Sequence, residues 1–239
     1  MIGGPEHLRQ AVRDDGYVFV PAEAMRSRLG VAPGDWEAFA ASWDDLPADE
    51  YMADGGRYRR RRFGVVSIRG DEWVVQSQQA HFQTVDHNRL NGGVERWFAP
   101  IDSDLLSGPV IAALTAASQE VFDLRRPAST PRRWRLELHQ FRIEALSGAA
   151  GLPTPEGVHR DGVDWVTVML VQRRNVASGV TAIFDPDQRP LGAFTLTEPM
   201  DAVFLDDHRV LHGVTAITPL DPSQPAYRDV LVATFREEA

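Results

Sequence analysis

The rhythm of apolar and polar positions changes near residue 134. Before it, residues 6–14 space apolar groups three to four apart, the period of a short helix. Residues 16–21 follow as a buried strand stopped by Pro21. Residues 34–43 predict another helix, with Trp36, Phe39 and Trp43 on one side. Two extended pieces are expected at 57–68 and 72–75, and the apolar stretch 109–124 has the spacing of a helix that covers a sheet.

From Trp134 onward, short β-rich runs alternate with turn signals: 134–145, 164–172, 179–184, 193–196, 202–205, 210–217 and 229–235. Short strands at this spacing predict a sandwich or barrel. Two packed sheets in a jelly roll are the natural solution. Residues 131–239 alone are few for two sheets, so the early strands are expected to extend one of them. The reading is a mainly β chain with flanking helices, forming one domain over 1–239. A helix-rich part, 1–130, precedes a core, 131–239, that carries the site.

The strand at 134–143 breaks its own rule. Trp134, Leu136 and Leu138 alternate on even positions, while Phe141 and Ile143 are odd. Either a bulge shifts the phase, or Gln140 and Arg142 share the leucines' face and point into a polar cavity. The second option would put Arg142 near a substrate carboxylate.

Composition narrows the chemistry. Cysteine is absent, which removes disulfides and thiolate metal sites. Any metal must be held by histidine, carboxylate or water, which favours iron(II), manganese(II) or zinc(II). A net charge of −9 argues against a nucleic-acid surface. No apolar run is long enough for a membrane span, and Met1 to His7 lacks the features of a signal peptide, so a cytoplasmic location is expected. All 25 basic residues are arginine. The dense run 57–62 reads mainly as a strand of exposed, partly paired arginines, one of which is available to an anionic substrate.

The candidate site lies between 155 and 228. His159 and Asp161 are two apart, so in an extended segment both side chains face the same way. Alone, such a pair is as readily a solvated strand end. His212 sits between Val210 and Val214 on a later apolar strand, whereas His208 lies in a polar turn. A core histidine satisfied by a carbonyl is the bland alternative for His212. Two imidazoles and one carboxylate can occupy one face of an iron(II) ion and leave positions open for a chelating cosubstrate and dioxygen. Arg228 begins a final strand with two apolar faces, where an unpaired guanidinium costs several kcal/mol. Either a structural aspartate or a bound carboxylate must answer it. Glu156 and Asp164 flank the pair, as receivers of a substrate ammonium or as turn caps. Trp165 is either a pocket wall or a core residue. Trp36, Trp43, Trp73 and Trp97 either cover the core or form the surface of a homodimer.

Three stretches together resemble the 2-oxoglutarate/iron(II) dioxygenases: Pro-Glu-Gly-Val-His-Arg-Asp-Gly at 155–162, the strand pair running from Phe204 through His212-Gly-Val, and Tyr-Arg-Asp-Val-Leu-Val-Ala-Thr-Phe at 227–235. The bacterial group that oxidises free L-amino acids, such as isoleucine and leucine hydroxylases, is the most similar. The likeness takes in His139-Gln-Phe-Arg142 and Arg174-Asn-Val, and reaches back to 43–51 and 91–93. The combined motif is specific, although its pieces are not.

This resemblance implies a double-stranded β-helix (jelly roll, cupin-like), with iron(II), 2-oxoglutarate and dioxygen as cofactors. It implies that His159, Asp161 and His212 ligate iron and that Arg228 binds the distal carboxylate of 2-oxoglutarate, with Thr234 or Gln140 assisting. Arg142, Glu156 and Trp165 are the candidate substrate residues. The implied reaction is hydroxylation of a free L-amino acid, aliphatic or with methionine sulfoxidation as a variant, releasing succinate and carbon dioxide. The alternatives are a cupin-like metalloenzyme that does not use 2-oxoglutarate and a non-catalytic metal-dependent binding protein.

Overall fold

The computed structural model describes residues 4–124, 132–146 and 148–238. The boundary expected between 130 and 131 lies outside them. The helices are α1 (Pro5–Asp15), α2 (Ala22–Leu29), α3 (Pro33–Ala41), α4 (Ser103–Leu106) and α5 (Pro109–Val121). The first half also supplies β1 (Tyr17–Val20), β2 (Arg59–Arg69) and β3 (Glu72–Val75). The second half supplies β4 (Arg133–Ala145), β5 (Trp165–Arg174), β6 (Val176–Ser178), β7 (Thr181–Phe184), β8 (Pro190–Phe194), β9 (Ala202–Asp206), β10 (Leu211–Val214), β11 (Ile217–Pro219) and β12 (Ala226–Glu238).

Seven strands form one antiparallel sheet in the order β1-β9-β5-β12-β4-β2-β3, so all three early strands extend it, as expected. The smaller layer consists of β10-β7-β8 and the pair β11-β6. This is the jelly roll the strand spacing predicts. No helix among the described residues is long and apolar enough to cross a membrane.

Each long strand of the large sheet has two jobs, divided by parity. Leu136 and Leu138 of β4, Met169 of β5, Phe204 of β9 and Leu231 and Phe235 of β12 pack with Leu8, Met25, Trp43 and Leu114 into a core on the helical face. The opposite face looks toward the smaller layer and carries the cavity. There is no bulge in β4, whose pairing with β12 runs unbroken from Arg133 to Ala145. The irregularity falls instead in β5, where the register shifts between Asp229 and Val230 of its partner.

Two elements differ from the pattern-based reading. Residues 210–217 are not one strand, since β10 and β11 belong to different sheets. Helix α2 has no clear sequence signal because its capping partner is distant: the Ala22 amide donates to Asp201 Oδ1 at 2.8 Å. An amide left bare at a buried helix start would carry a desolvation cost. Asp201 also accepts the amides of Thr197 and Glu198, tying that turn to the helix.

The tryptophans divide. Trp43 is buried in the core, and Trp36 and Trp73 pack partly against it. Trp97 is 54% exposed.

Candidate metal centre and its cavity

His159 and His212 come from segments 53 residues apart (212 − 159) but meet as an isolated antiparallel bridge. Each amide donates to the other's carbonyl at 3.0 Å. That pairing brings the imidazoles side by side, with ring centres 4.6 Å apart and the planes tilted by 52°. Asp161 sits between them, Oδ1 3.7 Å from Nε2 of His159 and Oδ2 3.7 Å from Nε2 of His212. One ligand atom from each of the three lies within 4.8 Å of the others. Nδ1 of His159 faces the Gly157 carbonyl at 3.1 Å, which places its proton there and leaves Nε2 free as a ligand.

The electrostatics suit a cation. Burial opposes charge on His159, but hydrogen bonding and attraction to Asp161, with Glu156 behind, push its pKa up to about 9. Burial also opposes ionisation of Asp161, yet the two histidines hold it well below the usual carboxylate range. His212 is lowered to about 4 by burial and then by the charge of His159. A divalent ion can take the place of the His159 proton and bond to all three groups. The side chain of His208 is 68% exposed and its Nε2 meets Asp164 at 2.9 Å, away from the Asp161 contacts of His159 and His212, so it is no rival ligand.

The cavity spans both sheets. His159, Asp161, His212, Glu156, Arg228 and Thr234 all line it. Arg228, Val230, Val232 and Thr234 alternate along β12 and all line it, so their common face is the cavity face. The side chain of Arg228 is buried, its Nε has no acceptor, and no carboxylate pairs with it among the described residues. Burial, and then repulsion by Arg173, lower its pKa to about 10, which leaves it cationic near neutral pH.

Four candidate residues lie elsewhere. Gln140 and Arg142 do share the leucines' face, but that face is packed by helices rather than open. Gln140 donates to Ser42 Oγ at 2.7 Å. Arg142 forms a two-pronged ion pair with Asp229, both contacts at 2.8 Å, and reaches Asp44 at 3.5 Å. Trp165 stacks on Phe122 with ring centres 4.8 Å apart, on the core side. Asp164 does not line the cavity either; its carboxylate accepts the Glu237 amide of β12 at 2.7 Å and meets His208 Nε2 at 2.9 Å.

The other parity of β4 supplies what the sequence reading missed. Glu137 and His139 face the cavity, together with His81, Arg59, Arg61 and Arg96. The arginine run is thus split: Arg59 and Arg61 are buried, whereas Arg60 and Arg62 pair near the surface with Glu144 and Asp45. Alternation along 57–62 was the available signal. His81, Glu137 and His139 also bring ligand atoms within 4.8 Å of one another. Their surroundings oppose a cation, because Arg61 already meets Nδ1 of His139 at 2.6 Å and Arg135 holds Glu137 at 2.8 Å.

Comparison with known proteins agrees with this geometry. The family model for 2OG-Fe dioxygenases matches residues 40–234. L-isoleucine-4-hydroxylase of Bacillus thuringiensis is 25% identical over 221 residues, covering 91% of this chain and 87% of its own. The crystal structure of a bsmA homologue from Methylobium petroleophilum PM1 is 36% identical with a TM-score of 0.88, over 99% of this chain and 94% of that one. The crystal structure of IDO from Bacillus thuringiensis shares the fold at 19% identity, with a TM-score of 0.80 over 99% of this chain and all (100%) of that one.

Proposed function

The chain belongs to the 2OG-Fe dioxygenase family, and from that premise we propose that it oxidises a small free L-amino acid, at an aliphatic carbon or at a methionine thioether. It is an oxidoreductase whose cofactors are iron(II), 2-oxoglutarate and dioxygen. His159, Asp161 and His212 hold the iron. Arg228 receives the distal carboxylate of 2-oxoglutarate, with Thr234 on the same wall.

The fit rests on the donor set and on one orphaned charge. Two imidazole nitrogens and a carboxylate, with no thiolate in the chain, suit iron(II) with positions left for other ligands. Arg228 carries the argument for the keto acid: it is a buried guanidinium without a carboxylate partner among the described residues, in the same cavity as the triad. A bound carboxylate offsets that cost through a charge-assisted fork. When bound, iron and 2-oxoglutarate activate dioxygen, one oxygen atom entering the substrate and the other the succinate formed with carbon dioxide.

The chain's own residues bind and orient. Val168, Val203, Leu205, Val230 and Val232 form apolar walls that keep water from the reacting groups. Gly157 sets the orientation of His159, and the backbone bridge to His212 fixes the spacing between the two rings. The name of the Bacillus thuringiensis relative supports an amino-acid substrate.

Succinate formation from 2-oxoglutarate, with iron(II) and ascorbate, tests the reading across the proteinogenic amino acids, with His159→Ala as control. Stimulation by aliphatic residues or methionine, lost in the control, is expected. If another substrate class stimulates turnover and no amino acid does, the substrate assignment falls. Substrate turnover that persists without any keto acid would return Arg228 to a structural role.

A further inference from the structure

Arg228 is not the only buried guanidinium facing the cavity without a close carboxylate. Arg61 is 3% exposed and Arg96 1%. Arg61 meets His139 Nδ1 at 2.6 Å and lies over the Phe98 ring, 3.7 Å from its centre. Asp49 is 3.9 Å from Arg61 and is already engaged by Arg59 at 2.7 Å. Arg96 donates to Gln83 Oε1 at 2.9 Å and has no carboxylate partner among the described residues. The Nε atoms of Arg61 and Arg96 are buried with no acceptor. Arg59 and Arg61 therefore share one carboxylate, Asp49, and Arg96 pairs with none among the described residues, while Glu137 is taken by Arg135 and His81.

Leaving such groups uncompensated is costly. An anion entering the cavity would supply the missing acceptor. This wall is separate from the Arg228 wall. Across the large sheet, Arg61 pairs with Phe141 and Phe141 with Val230, which lies two residues along β12 from Arg228. The two cationic positions are thus two strands apart, about 10 Å at ordinary strand spacing. Two carboxylates can be held at once, one on each wall.

A complementary charge faces the same space. The side chain of Glu156 is 9% exposed, its Oε1 lies 3.6 Å from Nε2 of His159, and its buried Oε2 has no partner. It stands beside the metal triad, and its charge is felt at Arg96.

We propose that Arg61 and Arg96 bind the carboxylate of the substrate and that Glu156 binds its ammonium group, so that the cavity recognises a zwitterion between the metal triad and the arginine wall. The inference rests on the amino-acid reading above and assigns that reading its binding groups.

The decisive comparison needs no variant. Thermal shifts of the iron- and 2-oxoglutarate-loaded enzyme are measured without oxygen, with L-isoleucine, L-leucine and L-methionine and with their primary amides. The acids should raise Tm, and the amides should need at least about 10-fold higher concentration, the loss of one charge-assisted contact. Equal stabilisation by acid and amide overturns the proposal. In Arg96→Gln the acid's shift should vanish, while the visible charge-transfer band of bound 2-oxoglutarate forms at the wild-type concentration. A retained acid shift, or a loss of 2-oxoglutarate affinity instead, also overturns it. If no amino acid stabilises the wild type, the amino-acid reading fails. 4-Methylpentanoate, which lacks the ammonium, then decides the wall alone: stabilisation of wild type but not of Arg96→Gln supports it, and stabilisation of neither sinks it.

Discussion

The buried carboxylate of Asp207 accepts the backbone N–H of Asp161 at 3.0 Å, and those of Gly162 and Val163 at 2.7 and 3.0 Å. One side chain thereby sets the turn that aims the Asp161 carboxylate of the candidate metal triad at the two histidines. Gly162 has φ +77, and a Cβ there would meet the His87 ring at 1.9 Å, so the turn has little freedom in sequence. Burial, and then repulsion by Asp161, raise the Asp207 pKa to about 6, a penalty the three amides partly offset.

Asp207→Ala should therefore loosen the centre without touching it. Supporting contacts of this kind are worth about 10- to 100-fold in metal affinity. Iron titration followed by retention on a desalting column would show the loss. An unchanged affinity would mean that the turn holds its shape through its backbone alone.

Arg228→Gln keeps a donor but removes the charge. Its apparent KM for 2-oxoglutarate should rise about 10- to 150-fold, the equivalent of about 1.5–3 kcal/mol for a hydrogen bond to a charged group. The KM for the amino acid should move far less. Steady-state kinetics with each substrate varied in turn separates the two.

His139 gives a pH prediction. Burial, and then the charge of Arg61, hold its pKa well below the ordinary histidine value, and burial lowers His81 as well. Below about pH 6.5 the unfolded chain takes up protons that the folded protein refuses, so stability falls as pH drops and is kept above that value. His139→Gln retains an acceptor for Arg61 but removes one such group. Its loss of stability between about pH 7.5 and 5.5 should be smaller than the wild type's by about 1 kcal/mol, as read from urea midpoints. Equal losses would show that His139 takes up its proton in the fold.

The Arg142–Asp229 pair tests placement. Its contacts are 2.8 Å and the Asp229 side chain is 0% exposed, so Asp229→Ala leaves a largely buried guanidinium without its main partner. About 3–5 kcal/mol of stability should be lost in urea unfolding. Arg142→Met should likewise cost stability and leave the amino-acid KM of the folded fraction unchanged. A raised KM with normal stability would put Arg142 back at the substrate.

Much of the candidate centre is legible locally. His159 and Asp161 share a face because residues two apart in an extended segment must. His212 belongs to an apolar strand and His208 to a polar turn. Arg228 stands out because charge on a two-faced apolar strand demands an answer. The strand spacing was sufficient for the jelly roll, and the early strands were expected in the sheet that receives them.

Periodicity divides β4 into two sets but assigns neither to a side, because both faces of a fully covered sheet are buried. Gln140 and Arg142 fell to the helical face, where Ser42, Asp44 and Asp229 satisfy them. Glu137 and His139 fell to the cavity. The choice is made by what packs against each face, and those partners are far away in the chain. Asp201 caps a helix 179 residues before it, and Arg61 and Arg96 reach the cavity from segments whose own sequence shows only an arginine run and a loop. Residue type and alternation determine which groups can act together on one strand. Only tertiary packing decides which strands and loops share a cavity, because burial and hydrogen-bond satisfaction are summed over the whole molecule rather than along a segment.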